Sequence, residues 1–91
     1  MEHTQALSDV ADRLAVVASI RRSACTGEMR RRRQKAQVTV TELAATLDIS
    51  RPTLSCWERG KLTPVTDHAL AWETALRRVE GMAVAAAEVT S

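Results

Sequence analysis

The side chains best able to do chemistry in this 91-residue chain are its guanidinium and ammonium groups, which concentrate in the middle of the sequence. Between Arg13 and Thr63 stand eleven Arg and Lys against four Asp and Glu, a local excess of seven positive charges in a chain of net charge +2. This distribution predicts a polyanionic partner for the middle of the chain. Charge alone leaves a second interpretation open, in which the run from Arg30 to Arg33 is a solvated helix face.

Other reactive side chains are too few and too scattered to form an active site. The two histidines, His3 and His68, are isolated in the sequence. Cys25 and Cys56 form neither a CxxC pair nor a Cys/His cluster with metal-ligand spacing. We therefore predict no enzymatic activity, no catalytic residue, no bound metal and no cofactor.

Length and composition restrict the class of protein further. A chain of 91 residues is enough for one domain, and its only aromatic residues are two Trp. Ala, Leu, Val and Ile must then fill the core, which suits helices better than sheets. The N-terminus does not resemble a signal peptide, and no apolar run approaches the ~20 residues that span a bilayer. The sequence predicts an all-α cytoplasmic protein with no membrane contact.

Two short helices in the middle of the chain are predicted from their capping signals. Thr39 to Glu42 has the pattern of a capping box, and the helix that it opens reaches Leu47. After a tight turn, Ser50 caps a second helix with Pro52 in its first turn. That helix stops at Gly60, a residue suited to a left-handed C′ position. Two short helices joined by such a turn have the geometry of a helix-turn-helix.

The second of these helices has two different faces. Leu54 and Trp57 anchor it in the core, and Ile49 fills the turn before it. The opposite face is small or polar, which leaves room to enter a DNA major groove about 12 Å wide. That face consists of Arg51, Pro52, Thr53, Ser55, Cys56 and Arg59.

Flanking helices must position this unit. Apolar residues at helical spacing between Gln5 and Ala24 predict an amphipathic helix that ends before a break at residues 26–27. Its apolar positions are Leu7, Val10, Ala11, Leu14, Val17, Ala18 and Ile20. A helix with a poor apolar face, with Met29 and Ala36 on one side, follows from Glu28 to Gln37.

A last helix begins at Thr66 or Asp67 and runs to about Gly81, with Leu70, Leu76 and Val79 on its core side. The predicted domain plan has three parts. These are an N-terminal amphipathic helix over residues 1–26, a DNA-binding domain over 27–81, and an Ala-rich tail over 82–91 that either extends the last helix or frays.

The segment from Thr39 to Pro64 resembles the Cro/phage-repressor, or xenobiotic-response-element, helix-turn-helix family. It has the pattern Thr-x-x-x-Leu-Ala, a hydrophobic-Ser turn, a second hydrophobic-Ser pair, Glu-x-Gly and a following Pro. The resemblance implies a lambda-repressor-like bundle of four to five helices, here with an extra N-terminal amphipathic helix. Two positions depart from the pattern, because Arg32 stands where the family usually has a buried Leu and Gln37 replaces a common Gly.

The resemblance also implies which residues contact DNA. Arg51, Pro52, Ser55 and Cys56 fall where the family meets base edges. Arg51 suits direct readout because a guanidinium can bridge O6 and N7 of guanine. The expected phosphate contacts are Arg31, Arg33, Thr39, Thr53, Arg59 and Lys61. Glu58 matches the family's structural acid.

Two of these assignments keep an alternative. Ser55 is either a base contact or a simple exposed hydroxyl. Cys56 is either an apolar contact, for example to a thymine methyl, or a small spacer.

Two functions remain open for the whole protein. The first is a sequence-specific regulator of transcription that binds double-stranded DNA as a homodimer, like Cro or another small phage or mobile-element repressor, and acts by occupying a promoter. The second is an antitoxin-type interaction module whose segment from Gln5 to Ala24 binds a protein partner and which represses its own operon.

Overall fold

Five helices make up the regular structure of the described part of the chain, residues 2–90. The computed structural model describes the backbone of residues 2–90 and the side chains of residues 9–82. The helices are α1 (Glu2–Thr26), α2 (Glu28–Lys35), α3 (Val40–Thr46), α4 (Arg51–Glu58) and α5 (Thr66–Thr90). The predicted all-α fold is confirmed, and the backbone of the tail continues α5 as far as Thr90. Within the described residues no helix is both long enough and apolar enough to cross a membrane.

The ends of α3 and α4 form as their capping signals predict. Thr39 Oγ1 accepts the Glu42 N–H at 3.1 Å, and the Glu42 carboxylate accepts the Thr39 N–H at 2.9 Å. This second hydrogen bond stabilises the ionised carboxyl and lowers the pKa of Glu42. Ser50 Oγ accepts the Thr53 N–H at 3.2 Å. At the far end of α4, Gly60 has a φ of +71°, the left-handed conformation expected there.

A tryptophan pair lies at the centre of the core. Trp72 of α5 is fully buried, and its ring centroid lies 5.5 Å from that of Trp57 in α4. The indole N–H of Trp72 has no hydrogen-bond partner in the described part of the chain. All five helices contribute to the buried set, which is Val17, Ile20, Ala24, Met29, Leu43, Ala44, Leu54, Trp57, Ala69, Trp72, Ala75 and Leu76.

The core side of α5 differs in part from the prediction. Leu76 is fully buried as expected, but Leu70 and Val79 lie at the margin of the core. Trp72 and the small residues Ala69 and Ala75 are buried on the same helix but are absent from the predicted core side. Small residues give a weak apolar signal, yet they let a neighbouring helix pack closely.

Among the described side chains of α1, the core covers those toward the C-terminal end of the helix. Val17, Ile20 and Ala24 are buried, whereas Val10 and Leu14 are 57% and 56% exposed. At 100° per residue, Val10 and Leu14 lie on much the same side of the helix as the buried residues. The apolar stripe therefore continues beyond the core and is left largely open to solvent. The side chain of Leu7 lies outside the described residues.

Arg32, the departure from the family's apolar pattern, joins α2 to α5 at the edge of the core. Its guanidinium lies 2.7 Å from carboxylate oxygens of both Glu73 and Glu80. The hydrogen bond with Glu80, supported by Glu73, raises the pKa of Arg32. Burial acts to raise the pKa of Glu73, but hydrogen bonds from Arg32 and Arg77 outweigh burial and lower it. Ion pairs thus replace the packing that a leucine would give at this position.

The backbone is left-handed just after α2. The helix ends at Lys35, two residues before the predicted end, and Gln37 has a φ of +62°. A β-carbon makes this conformation costly by roughly 1–2 kcal/mol, which explains why the family commonly has Gly there. Asp48, in the turn between α3 and α4, has a φ of +56°, but Asp tolerates this region better.

Gln37→Gly is expected to raise the free energy of unfolding by about 1 kcal/mol. Glycine removes the left-handed penalty, although its greater freedom in the unfolded chain offsets part of the gain. Urea denaturation measures the change. Gln34→Gly, in the last turn of α2, is the matched control and should lower the stability by up to about 1 kcal/mol. If both variants lose stability equally, the backbone at Gln37 carries no strain.

Candidate nucleic-acid interface

A buried ion pair fixes α4, the predicted recognition helix, to α2. Arg33 Nε donates to Glu58 Oε2 at 2.6 Å, and Nη2 donates to Oε1 at 3.0 Å. The two residues are only 7% and 5% exposed. Arg33 Nη1 also donates to the carbonyl oxygen of Val38 at 2.9 Å. One guanidinium therefore joins α2, the loop before α3 and α4 in a bidentate geometry that is strong as well as specific.

This arrangement corrects the role predicted for Arg33. A phosphate contact is predicted for Arg33 from the resemblance, but its guanidinium is enclosed and hydrogen-bonded to Glu58 and Val38. Arg33 supports the recognition helix from inside and leaves the set of proposed phosphate contacts. The structural role expected of Glu58 agrees with its burial against Arg33.

The outward face of α4 carries the residues proposed to read bases. Arg51 and Pro52 are exposed at its first turn, and Ser55 and Cys56 are half-buried farther along. At the end of the helix Arg59 is exposed, and its Nε donates to the carbonyl oxygen of Ser55 at 3.3 Å. The predicted face is therefore assembled on one helix, with a guanidinium at each end.

An open cleft of about 330 Å³ lies between α2, the start of α3 and the edge of α4. Its lining is Arg30, Arg33, Val40, Ser55, Glu58 and Arg59. Since Arg33 and Glu58 neutralise each other, the remaining charge comes from the exposed Arg30 and Arg59. A concave, doubly cationic site beside the recognition helix is chemically suited to a phosphate group.

Arg30 lines the cleft, whereas Arg31 is the neighbouring arginine that was predicted from the sequence. Arg31 is exposed, but its Nη1 lies 3.4 Å from the carbonyl oxygen of Thr26, toward the end of α1. Helix periodicity gives part of the signal for Arg30, because it groups this residue with Arg33. Arg30 lies three residues before Arg33, so both point to the same side of α2. The ion pair of Arg33 with Glu58 then directs that side toward α4.

The three remaining predicted phosphate contacts lie at helix ends. Thr39 is exposed at the start of α3, where its oxygen accepts the capping bond and its hydroxyl proton stays available to donate. Thr53 is half-buried, with its Oγ1 2.6 Å from Ser50 Oγ. Lys61 is exposed just past Gly60, and its backbone N–H donates to the carbonyl oxygen of Cys56 at 2.9 Å.

Other chemistry finds little support in the described residues. No three His, Cys, Asp or Glu side chains within residues 9–82 are grouped so that they could hold a metal ion. Cys25 and Cys56 are free thiols. His68 is exposed with its ring centroid 5.6 Å from that of Trp57, and His3 lies outside the described side chains.

Two capped helices, a short turn and a cationic cleft beside the second helix define a helix-turn-helix protein. The comparison with protein families agrees, because a family model described as "Helix-turn-helix" matches residues 29–80. This match covers more than half of the chain, which therefore belongs to the Cro/C1-type helix-turn-helix family and is a DNA-binding regulator of transcription in the general sense. Helix α1 lies outside the matched residues. No curated protein and no solved structure matches the chain.

Glu58→Gln is expected to lower the free energy of unfolding by about 3–5 kcal/mol, because it leaves the charge of Arg33 buried without a counter-ion. Urea denaturation at neutral pH measures the loss. The double variant Arg33→Met/Glu58→Leu removes both charges at similar volume and should regain most of the stability. A Glu58→Gln protein as stable as the wild type would show that the ion pair does not hold the helices together.

Proposed function

We propose that the protein is a sequence-specific transcriptional regulator of the Cro-like type, a small phage or mobile-element repressor that binds double-stranded DNA and occupies a promoter. One observation carries this proposal. The outward face of α4 is fixed by the buried Arg33–Glu58 ion pair and bordered by a cationic cleft. A rigid helix next to a phosphate site can enter the major groove in a single register.

Base readout is assigned to Arg51, Pro52, Ser55 and Cys56. Arg51 leads because it is exposed at the first turn of α4, where a recognition helix meets base edges, and its guanidinium can bond guanine in two places. Ser55 can exchange one hydrogen bond with a base. The half-buried Cys56 is best suited to an apolar contact or to a spacer that allows close approach.

Phosphate binding is assigned first to the cleft, where Arg30 and Arg59 supply two charges without a buried counter-ion. Exposed residues at the neighbouring helix ends complete the proposed set. They are Arg31, Thr39, Thr53 and Lys61.

The division of labour along the chain follows from these assignments. Residues 27–81 form the proposed DNA-binding domain, residues 1–26 support it or dimerise, and residues 82–91 are a tail. We propose the cytoplasm as location, since the partner is genomic DNA. The proposed activity involves no catalytic step, metal or cofactor.

We also propose that the protein acts as a homodimer. Two recognition helices on a two-fold axis would reach half-sites about 34 Å apart, which doubles the contacts to one operator. The uncovered side of α1 around Val10 and Leu14 is the proposed contact, because it continues an apolar stripe beyond the core. The same surface favours the second candidate function, an antitoxin-type module in which a different protein covers α1 and the complex represses its own operon.

The function is tested by fluorescence anisotropy on random DNA and on DNA that flanks the gene, across a salt series. A repressor of its own promoter binds the flanking DNA alone at about 150 mM salt, because non-specific binding weakens steeply as salt rises.

Arg51→Ala should weaken binding to the preferred site by roughly 1–3 kcal/mol and reduce the preference for that site over other DNA. Arg30→Ala should weaken binding to all DNA sequences about equally, and it should reduce the slope of log affinity against log salt concentration by about one unit.

Two outcomes would contradict these assignments. Weak, salt-sensitive binding of the wild type to both DNAs argues against a specific repressor and favours the interaction module. Unchanged affinity of the Arg51→Ala protein for the preferred site would place the recognition surface elsewhere.

Leu14→Asp should convert a dimeric wild type to monomers in sedimentation, since each copy would bring a carboxylate into the apolar contact. Val16→Asp is the matched control. It changes an exposed apolar residue on a different side of α1 and should stay dimeric. A Leu14→Asp protein that remains fully dimeric would rule out this face. A monomeric wild type that forms a stoichiometric complex with a second protein would support the antitoxin alternative.

A further inference from the structure

We propose that Arg21 of α1 is a positioning residue for DNA binding. It holds the connector between α4 and α5, residues 59–65, and thereby fixes the place of Lys61 on the interface. The inference rests on the proposed function, because it concerns how Lys61 meets a phosphate. It gives α1 a direct effect on the DNA-binding surface, separate from dimerisation.

Arg21 is hydrogen-bonded to the C-terminal end of the connector. Its Nη2 and Nε both donate to the carbonyl oxygen of Pro64, at 3.0 and 3.3 Å. Pro64 is fully buried and Arg21 is half-buried, so the contact is shielded in part from water. A charge-assisted bond at such a site is stronger than an exposed one.

Helix α1 also touches the near end of the connector. A β-carbon placed on Gly60 would lie 3.4 Å from both Cα and Sγ of Cys25, so the two backbones are almost in van der Waals contact. The space that remains between α1 and the connector is only about 30 Å³. Beside Gly60, the N–H groups of Lys61 and Leu62 both donate to the carbonyl oxygen of Cys56, at 2.9 and 3.4 Å.

The middle of the connector depends on these two ends. The side chains of Lys61, Leu62 and Thr63 are exposed and therefore make few contacts that could hold them in place. If the bonds to Pro64 are lost, the connector gains conformations that must be given up again when Lys61 binds a phosphate. Ordering the backbone of a single residue changes an equilibrium about tenfold, which sets the size of the expected effect.

This support comes from residues outside the match to the family. Arg21 and Cys25 lie before residue 29, where the match to the family begins, whereas the connector lies within the match. An element outside the family unit thus restrains a segment that carries one of its proposed phosphate contacts.

The test is a double-mutant cycle measured by anisotropy on the flanking DNA across a salt series. Arg21→Met keeps the aliphatic stem and removes the donors, and Lys61→Ala removes the proposed contact. Arg22→Met, an exposed neighbour on α1, controls for the loss of one charge. Thermal unfolding of each variant sets a temperature at which all of them are folded.

We expect Arg21→Met to bind about tenfold more weakly and to lose up to one unit of salt slope, because Lys61 no longer meets its phosphate reliably. In the Lys61→Ala background the same change should have little further effect. Arg22→Met should bind like the wild type. Arg21→Lys, which keeps one donor, should restore part of the affinity, and it replaces Arg21→Met in the cycle if that variant does not fold.

Three results would overturn the inference. Unchanged affinity of folded Arg21→Met would show that the connector needs no support from α1. Additive losses in the double variant, with a further drop in salt slope, would make Arg21 a phosphate contact in its own right. An equal loss in Arg22→Met would reduce the effect to net charge. If the wild type binds neither DNA, the proposed function fails, an outcome separate from these three.

Discussion

The arrangement of this molecule depends on the buried ion pair between Arg33 and Glu58. Burying two charges costs desolvation free energy, which is offset only when the charges pair with each other. Helices α2 and α4 are therefore held in the relative position in which both hydrogen bonds between Arg33 and Glu58 form. That position aims the outer face of α4 away from the core and turns Arg30 toward the edge of α4. A pair of apolar residues could hold the two helices together equally well, but it would not make the two directional hydrogen bonds that define this position.

Local signals in the sequence predicted the segment from Thr39 to Gly60 well. The capping box of α3, the serine cap of α4 and the left-handed glycine are recognisable from residues three or four apart, because the hydrogen bonds that they make are equally short-range. Leu54 and Trp57 were also predictable, since one helical turn separates the two largest apolar side chains of α4. Features that depend on hydrogen bonds between near neighbours in the chain can therefore be predicted from short stretches of sequence.

Features that depend on packing between helices could not be predicted in this way. The four consecutive arginines of α2 form one uniform charge run in the sequence, yet each has a different environment. Arg30 lines a cleft, Arg31 approaches Thr26, Arg32 joins two glutamates of α5, and Arg33 is buried. Which arginine faces which way depends on the rotation of α2 against the core, and the weak apolar face of that helix does not define it. For the same reason, the sequence did not show at which point along α1 the apolar residues stop being buried in the core.

The tryptophan pair gives the molecule its own optical probe. Because the chain has no Tyr and no Phe, all of its near-ultraviolet absorption by aromatic rings comes from Trp57 and Trp72. One ring belongs to α4, the proposed recognition helix, and the other to α5, with centroids 5.5 Å apart. Both rings are shielded from water, so the fluorescence emission of the folded protein is that of indole rings in an apolar environment. An event that separates α4 from α5 would change both the wavelength and the intensity of the tryptophan fluorescence. Such an event could therefore be followed without a label.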